Sequence, residues 1–182
     1  MLTQTIEGFN IADLGWGTAN ARSVTISFWV KASITGTYTV AFRNSALNRS
    51  YRATYTINAA NTWEYKTVTV AGDTTGTWLT DNGAGIRVGF TLGAGSDFID
   101  TGNVWSALED FAATGQTQWI STNGATFYIT GSNWKQALSP RRLSAGRMGL
   151  NWRCVRGTLQ RRSRKLQRLL KIPTKAAHLI AR

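Results

Sequence analysis

Four carboxylates crowd one stretch of this sequence: Asp97, Asp100, Glu109 and Asp110. Two carboxyl groups held face to face can cleave a glycosidic bond, one as acid and the other as base or nucleophile. The same oxygens could instead ligate calcium, a hard cation that takes carboxylate and carbonyl ligands, or serve as ordinary loop charges. No other catalytic arrangement is visible. The single histidine, His178, and the single cysteine, Cys154, have no companions for a metal or nucleophilic site, and one cysteine excludes an internal disulfide framework. GAGIRVG and GFTLGAG are glycine-rich, but neither joins a strand to a helix as a phosphate loop does. The expectation is a protein that is not an enzyme and has no cofactor, with a structural calcium ion as the open alternative.

Tryptophan is the second residue type with chemistry to offer. Trp78, Trp105 and Trp119 stand in or beside loops, where an exposed indole stacks on a sugar ring. These three are the candidate carbohydrate-binding residues; the competing reading makes them loop anchors tucked against the fold. Trp29 lies on the strand face opposite Phe28, either packed between layers or presented to a ligand. Trp63 opens a strand and is expected in the core.

The elements that must position these residues are strands. VTISFWVK sets Val24, Ile26, Phe28 and Val30 on one face, and TYTVAFRN does the same with Tyr38, Val40 and Phe42. SYRATYTI, WEYKTVTV, GIRVGFTL and ATFYIT follow with period-two alternation or β-branched and aromatic residues, the mark of half-buried strands. ITG, NAAN, GDTTG, DNGAG and GAGS separate them with turn chemistry. VWSALEDFAA, near 104–113, reads as a short helix or a decorated loop. This pattern predicts an all-β fold, an antiparallel sandwich or jelly roll.

Charge divides the chain sharply. All nine carboxylates and seven of the 21 basic residues precede Trp134; the other fourteen basic residues follow, with no acid among them. The net charge of +12 therefore describes neither part. MLTQTIEGFN shows no basic start or apolar run, so no signal peptide is expected, and no segment reaches the ~20 apolar residues of a membrane span.

QTIEGFNIADLGWGTANARSVTISFWVKASITGTYTVAFRNSALNRSY, INAANTWEYKTVTVAGDTTGTWLTDNGAGIRVGFTLGAG and TQWISTNGATFYITG, in that order and spacing, resemble a family of phage and prophage tail-associated proteins with a carbohydrate-binding-module-like jelly roll. The resemblance covers nearly all of residues 3–131. It implies a structural or glycan-binding module, with surface glycans or other tail proteins as partners, located in the virion tail or the host-cell cytoplasm. It also implies further strands upstream of QTIEG, making residues 1–131 a partial domain. Family members continue after TFYITG with VQLE-G and a segment like FERRPYG-ELALC-RY, which this reading frame lacks.

A displaced frame restores both. RMGLNWR, Arg147 to Arg153, can be encoded CGT ATG GGA CTG AAC TGG CGC. One base over, the same letters read TAT GGG ACT GAA CTG GCG, or Tyr-Gly-Thr-Glu-Leu-Ala. Applied from Gly131 to Leu159, the rule permits VQLEAGSVATAFERRPYGTELALCERYF. Loss of one base at GGC GTC would create the Gly131-Ser132 junction. Residues 132–182 are therefore read as a basic, out-of-frame tail, disordered or an isolated helix. In this reading positions 132 and 134, apolar in the restored frame, extend the buried face begun by Phe127 and Ile129.

Taken at face value, TLQRRSRKLQRLLKI is a basic, weakly amphipathic helix over Thr158–Lys171. Such a stretch binds phosphates by counterion release or lies on an anionic membrane. The rival functions are thus a nucleic-acid-binding protein acting through this tail, and an accessory domain of a glycoside hydrolase.

Overall fold

The computed structural model describes residues 1–136, 151–155 and 158–162. The chain divides into two units, Met1–Ser139 and Pro140–Arg182. The protein is all-β, built of antiparallel sheets with short 3-10 turns between strands. The first unit contains β1 (Leu2–Glu7), β2 (Val24–Ala32), β3 (Gly36–Arg43), β4 (Ser50–Ile57), β5 (Glu64–Val70), β6 (Ala84–Thr91), β7 (Ile99–Asp100), β8 (Trp105–Ser106), β9 (Ala112–Ala113) and β10 (Phe127–Gln136). One sheet has the order β1-β6-β3-β4-β8 and a second the order β10-β2-β5, while β7 and β9 form a short parallel pair.

The inner faces of the two large sheets make the core. Val24, Ile26, Phe28 and Val30 of β2 are buried, as the alternation of VTISFWVK predicts, and so are Tyr38, Val40 and Phe42 of β3 and Ile86, Val88 and Phe90 of β6. Phe28 is fully enclosed, edge-on to Tyr55 at 5.1 Å and to Phe90 at 4.9 Å. Burying such a ring contributes about 1.5–3 kcal/mol, more where edge-to-face geometry is satisfied.

The five-stranded sheet is covered on its outer face too. A half-buried strand should expose its polar positions, yet Thr39, Ser50, Arg52 and Thr91 are fully buried. The stretch 92–121 folds over them. Ser50 Oγ donates to the Leu108 carbonyl at 2.7 Å, the Asn103 amide to the Arg52 carbonyl at 2.8 Å, and the Thr117 amide to the Thr37 carbonyl at 2.7 Å. VWSALEDFAA belongs to this cover as a decorated loop: β8 adds to the sheet edge and β9 pairs with β7, with no helical turn between them.

Gly131-Ser132, where the sequence reading places a junction, falls inside β10, which continues to Gln136. Thr130 pairs with Trp29 and Asn133 with Ser27, so one extra residue is accommodated as a bulge. Gly131 sits in it at φ 61°, a left-handed conformation that a side chain strains. The bulge also resets the alternation. Trp134 turns inward opposite Ile26 and meets Phe42 at 6.0 Å, whereas Ser132 is exposed. Of the two positions expected to extend the buried face, only 134 does.

In the second unit β11 (Asn151–Val155) pairs antiparallel with β12 (Thr158–Arg162). The helix expected from Thr158 to Lys171 is thus replaced by a strand over its first five residues, Thr158–Arg162. A short helix is marginal in water without a packed face, and NWRCV lies only two residues upstream as a pairing partner. Residues 163–171 lie outside the described residues.

Candidate functional site

Three of the four carboxylates singled out in the sequence are held by arginines. Arg52, fully buried, meets Asp100 Oδ2 at 3.2 Å and Asp110 Oδ2 at 3.6 Å. Its guanidinium also donates to Ser50 Oγ at 2.8 Å and twice to the Thr101 carbonyl, at 3.0 and 2.9 Å. Arg43 takes Glu109 at 3.2 Å. Asp97 only accepts from its neighbour Ser96. Burial pushes the Asp110 carboxyl up, Arg52 pulls it down, and Asp100 raises it again. These are latches that fasten the 92–121 cover to the sheet: their charges are neutralised from below. No group of three or more metal-ligating side chains occurs among the described residues.

The three candidate tryptophans divide. Trp78 and Trp105 come together with Trp16 in a mutual edge-to-face cluster, with ring centroids 4.7, 5.3 and 5.5 Å apart. Each indole nitrogen finds a carbonyl or carboxylate: Trp16 the Arg22 carbonyl, Trp78 the Asp73 carboxylate and Thr75 carbonyl, Trp105 the Ala71 carbonyl. Asp73 is itself gripped through both oxygens by Arg49 at 2.7 Å. Trp78 retains only 7% of its surface, too little for a ring face to lie on a sugar. Trp119 is separate and half-buried, edge-on to Phe127 with its nitrogen on the Thr126 carbonyl.

The open aromatic surface lies elsewhere, on the outer face of β10-β2-β5. Trp29 is 45% exposed, Trp63 43%, Tyr65 54% and Tyr128 48%. Register explains why they cluster. Trp29 pairs with Tyr65 on β5 and Thr130 on β10; one rung along the same face, Lys31 pairs with Tyr128 and stands beside Trp63. Trp29 and Tyr65 are 5.4 Å apart, Trp63 and Tyr128 6.4 Å. The Lys31 ammonium lies 4.8 Å from the Tyr128 ring and 5.4 Å from that of Trp63. Gly131, in the bulge, leaves the backbone of β10 close against the edge of Trp29.

Trp63, expected in the core, is instead presented to solvent. The reason is parity: Val68 and Val70 face inward, so Trp63, Tyr65, Thr67 and Thr69 must face out. Counting back from those two valines would have found Trp63 and Tyr65 in the sequence; the aromatic opening of WEYKTVTV invites the opposite reading. The loop that delivers Trp63 is pinned at both ends. The Asn61 amide donates to the Ala32 carbonyl at 2.7 Å, and the Glu64 carboxylate accepts from the amides of Asn58 and Ala59, each at 2.8 Å. Lys66 and these donors hold the Glu64 carboxyl down at about 2.

The described residues of this face present ring surfaces, hydroxyls and the ammonium groups of Lys31 and Lys135, without a carboxylate among them. It can hold a planar or apolar ligand surface. Among the described residues no helix is long and apolar enough to cross a membrane. Comparison with family models, with curated proteins and with solved structures finds no match.

Proposed function

We propose that this chain is a non-enzymatic glycan-binding module of jelly-roll type, and that it binds through the outer face of β10-β2-β5 rather than through its loop tryptophans. The observation that carries this reading is the concentration of four exposed aromatic rings on one sheet face, with no described segment over them. Rings so placed match the apolar faces of pyranoses, while Thr67, Thr69 and Thr130 around them suit sugar hydroxyls. The engagement of Asp100, Asp110 and Glu109 with arginines supports a binding role over hydrolysis. The sequence resemblance to tail-associated phage and prophage proteins supports a setting in a tail apparatus, where binding a cell-surface glycan would serve attachment.

A glycan array followed by affinity electrophoresis tests the reading. Trp29→Ala and Trp63→Ala should each weaken binding of a positive glycan by about two- to tenfold, with the folded core intact. Retained affinity in both variants, together with loss in Trp119→Ala, would move the site to the half-buried loop indole.

A further inference from the structure

Lys31 is the one cation placed among the aromatic rings. It occupies the central strand of the face, between Tyr128 on one side and Trp63 on the other. Its ammonium makes no ion pair with any described carboxylate. The outward positions of β2, β5 and β10 carry hydroxyl, amide, aromatic and lysine side chains and no acid. Glu64, next to Trp63 and Tyr65 in the chain, stands at the inward parity and is engaged by Lys66, Asn58 and Ala59. Lys135 also faces outward, but opposite Thr25, six residues along β2 from Lys31.

We infer that the ligand of this face is an acidic polysaccharide, its uronic-acid carboxylate meeting Lys31 while its pyranose rings lie on Trp29, Trp63, Tyr65 and Tyr128. This rests on the glycan-binding reading and adds a charge class to it. Two ring faces close to the ammonium displace part of its water, so an anion gains more there than at a fully hydrated lysine. A neutral sugar leaves the same charge without a counterpart. Charge-assisted contact on a stacking surface also sets the geometry: the carboxylate must lie within one residue of the stacked rings, since Trp29 and Lys31 are adjacent rungs about 7 Å apart on one strand.

The test uses the full chain, because the basic tail could attract any polyanion and must remain constant. Polygalacturonate and its carboxyl-reduced counterpart are titrated against the unaltered chain, Lys31→Gln and Lys31→Arg. The inference expects polygalacturonate to bind about tenfold tighter than the reduced polymer. Lys31→Gln should abolish that preference without weakening binding of the reduced polymer, and Lys31→Arg should keep it. A preference that survives Lys31→Gln assigns it to the tail and overturns the inference, as does equal binding of the two polymers by the unaltered chain. In both cases the glycan reading stands provided Trp29→Ala weakens binding. Failure to bind either polymer, with no positive glycan on the array, overturns the inference and the reading together.

Discussion

The two large sheets of the first unit turn very different outer faces outward. That of the five-stranded sheet holds Thr39, Arg43, Ser50, Arg52 and Thr91, with Ala41 among them, buried where residues 92–121 lie over it. That of the three-stranded sheet holds tryptophans and tyrosines, and is open. The polar face is inside and the aromatic face outside, the reverse of what side-chain hydropathy alone would arrange. Buried polar groups are tolerable where they find partners, and the cover supplies carbonyls and a carboxylate to Ser50, Arg52 and Thr91. Exposed rings have no such compensation, and an aromatic patch left in water is a mark of binding.

The largest effect should follow from unfastening the covered face. Arg52→Met leaves Asp110 buried without its counter-ion, and breaking a buried pair from one side costs about 3–5 kcal/mol. Denaturant unfolding should show that loss, while glycan affinity measured well below the transition stays unchanged. A parallel drop in affinity would mean that the two faces are not independent.

Trp78→Ala should cost nearly as much, about 3–5 kcal/mol, because it opens a cavity in the Trp16–Trp78–Trp105 cluster. It too should spare binding. On the open face the signs are exchanged: Trp29→Ala should change stability by about 1 kcal/mol or less, since nearly half the ring is already in water, and its effect should appear in glycan affinity.

Acid should act on the open face through Glu64. Its carboxyl is held at about 2 in the folded chain, below its ordinary value of 4.5. A depressed carboxylate contributes stability that is complete above the unfolded value and lost as pH falls toward the folded one. Protection of the Asn58 and Ala59 amides should therefore decline between about pH 4.5 and 2, and Glu64→Gln should flatten that dependence. An effect smaller than those of the two buried-site substitutions is expected for Gly131→Ala. A side chain at φ 61° costs about 1–2 kcal/mol, and the strained bulge should shift Trp29 enough to alter its fluorescence.

Much of this was legible residue by residue. The alternation of VTISFWVK and TYTVAFRN names the buried faces of β2 and β3 correctly, because a two-residue period and a core side are local properties of a strand. The carboxylates of 97–110 were not legible: nothing in SDFIDTGNVWSALED says that Arg43 and Arg52, some fifty residues earlier, will meet them. Loop position left two readings open for Trp78, and its burial fits the loop anchor, since a residue outside a strand can still pack under one.

The sequence by itself determined the all-β class, the inward face of most strands and the abrupt change in charge after Gly131, since each depends on neighbours along the chain. Only the tertiary structure decided which outer face stayed open. That choice depends on where residues 92–121 lie down, and hydrogen bonds from Ser50, Arg52 and Thr91 to this stretch settle it across separations no local pattern encodes.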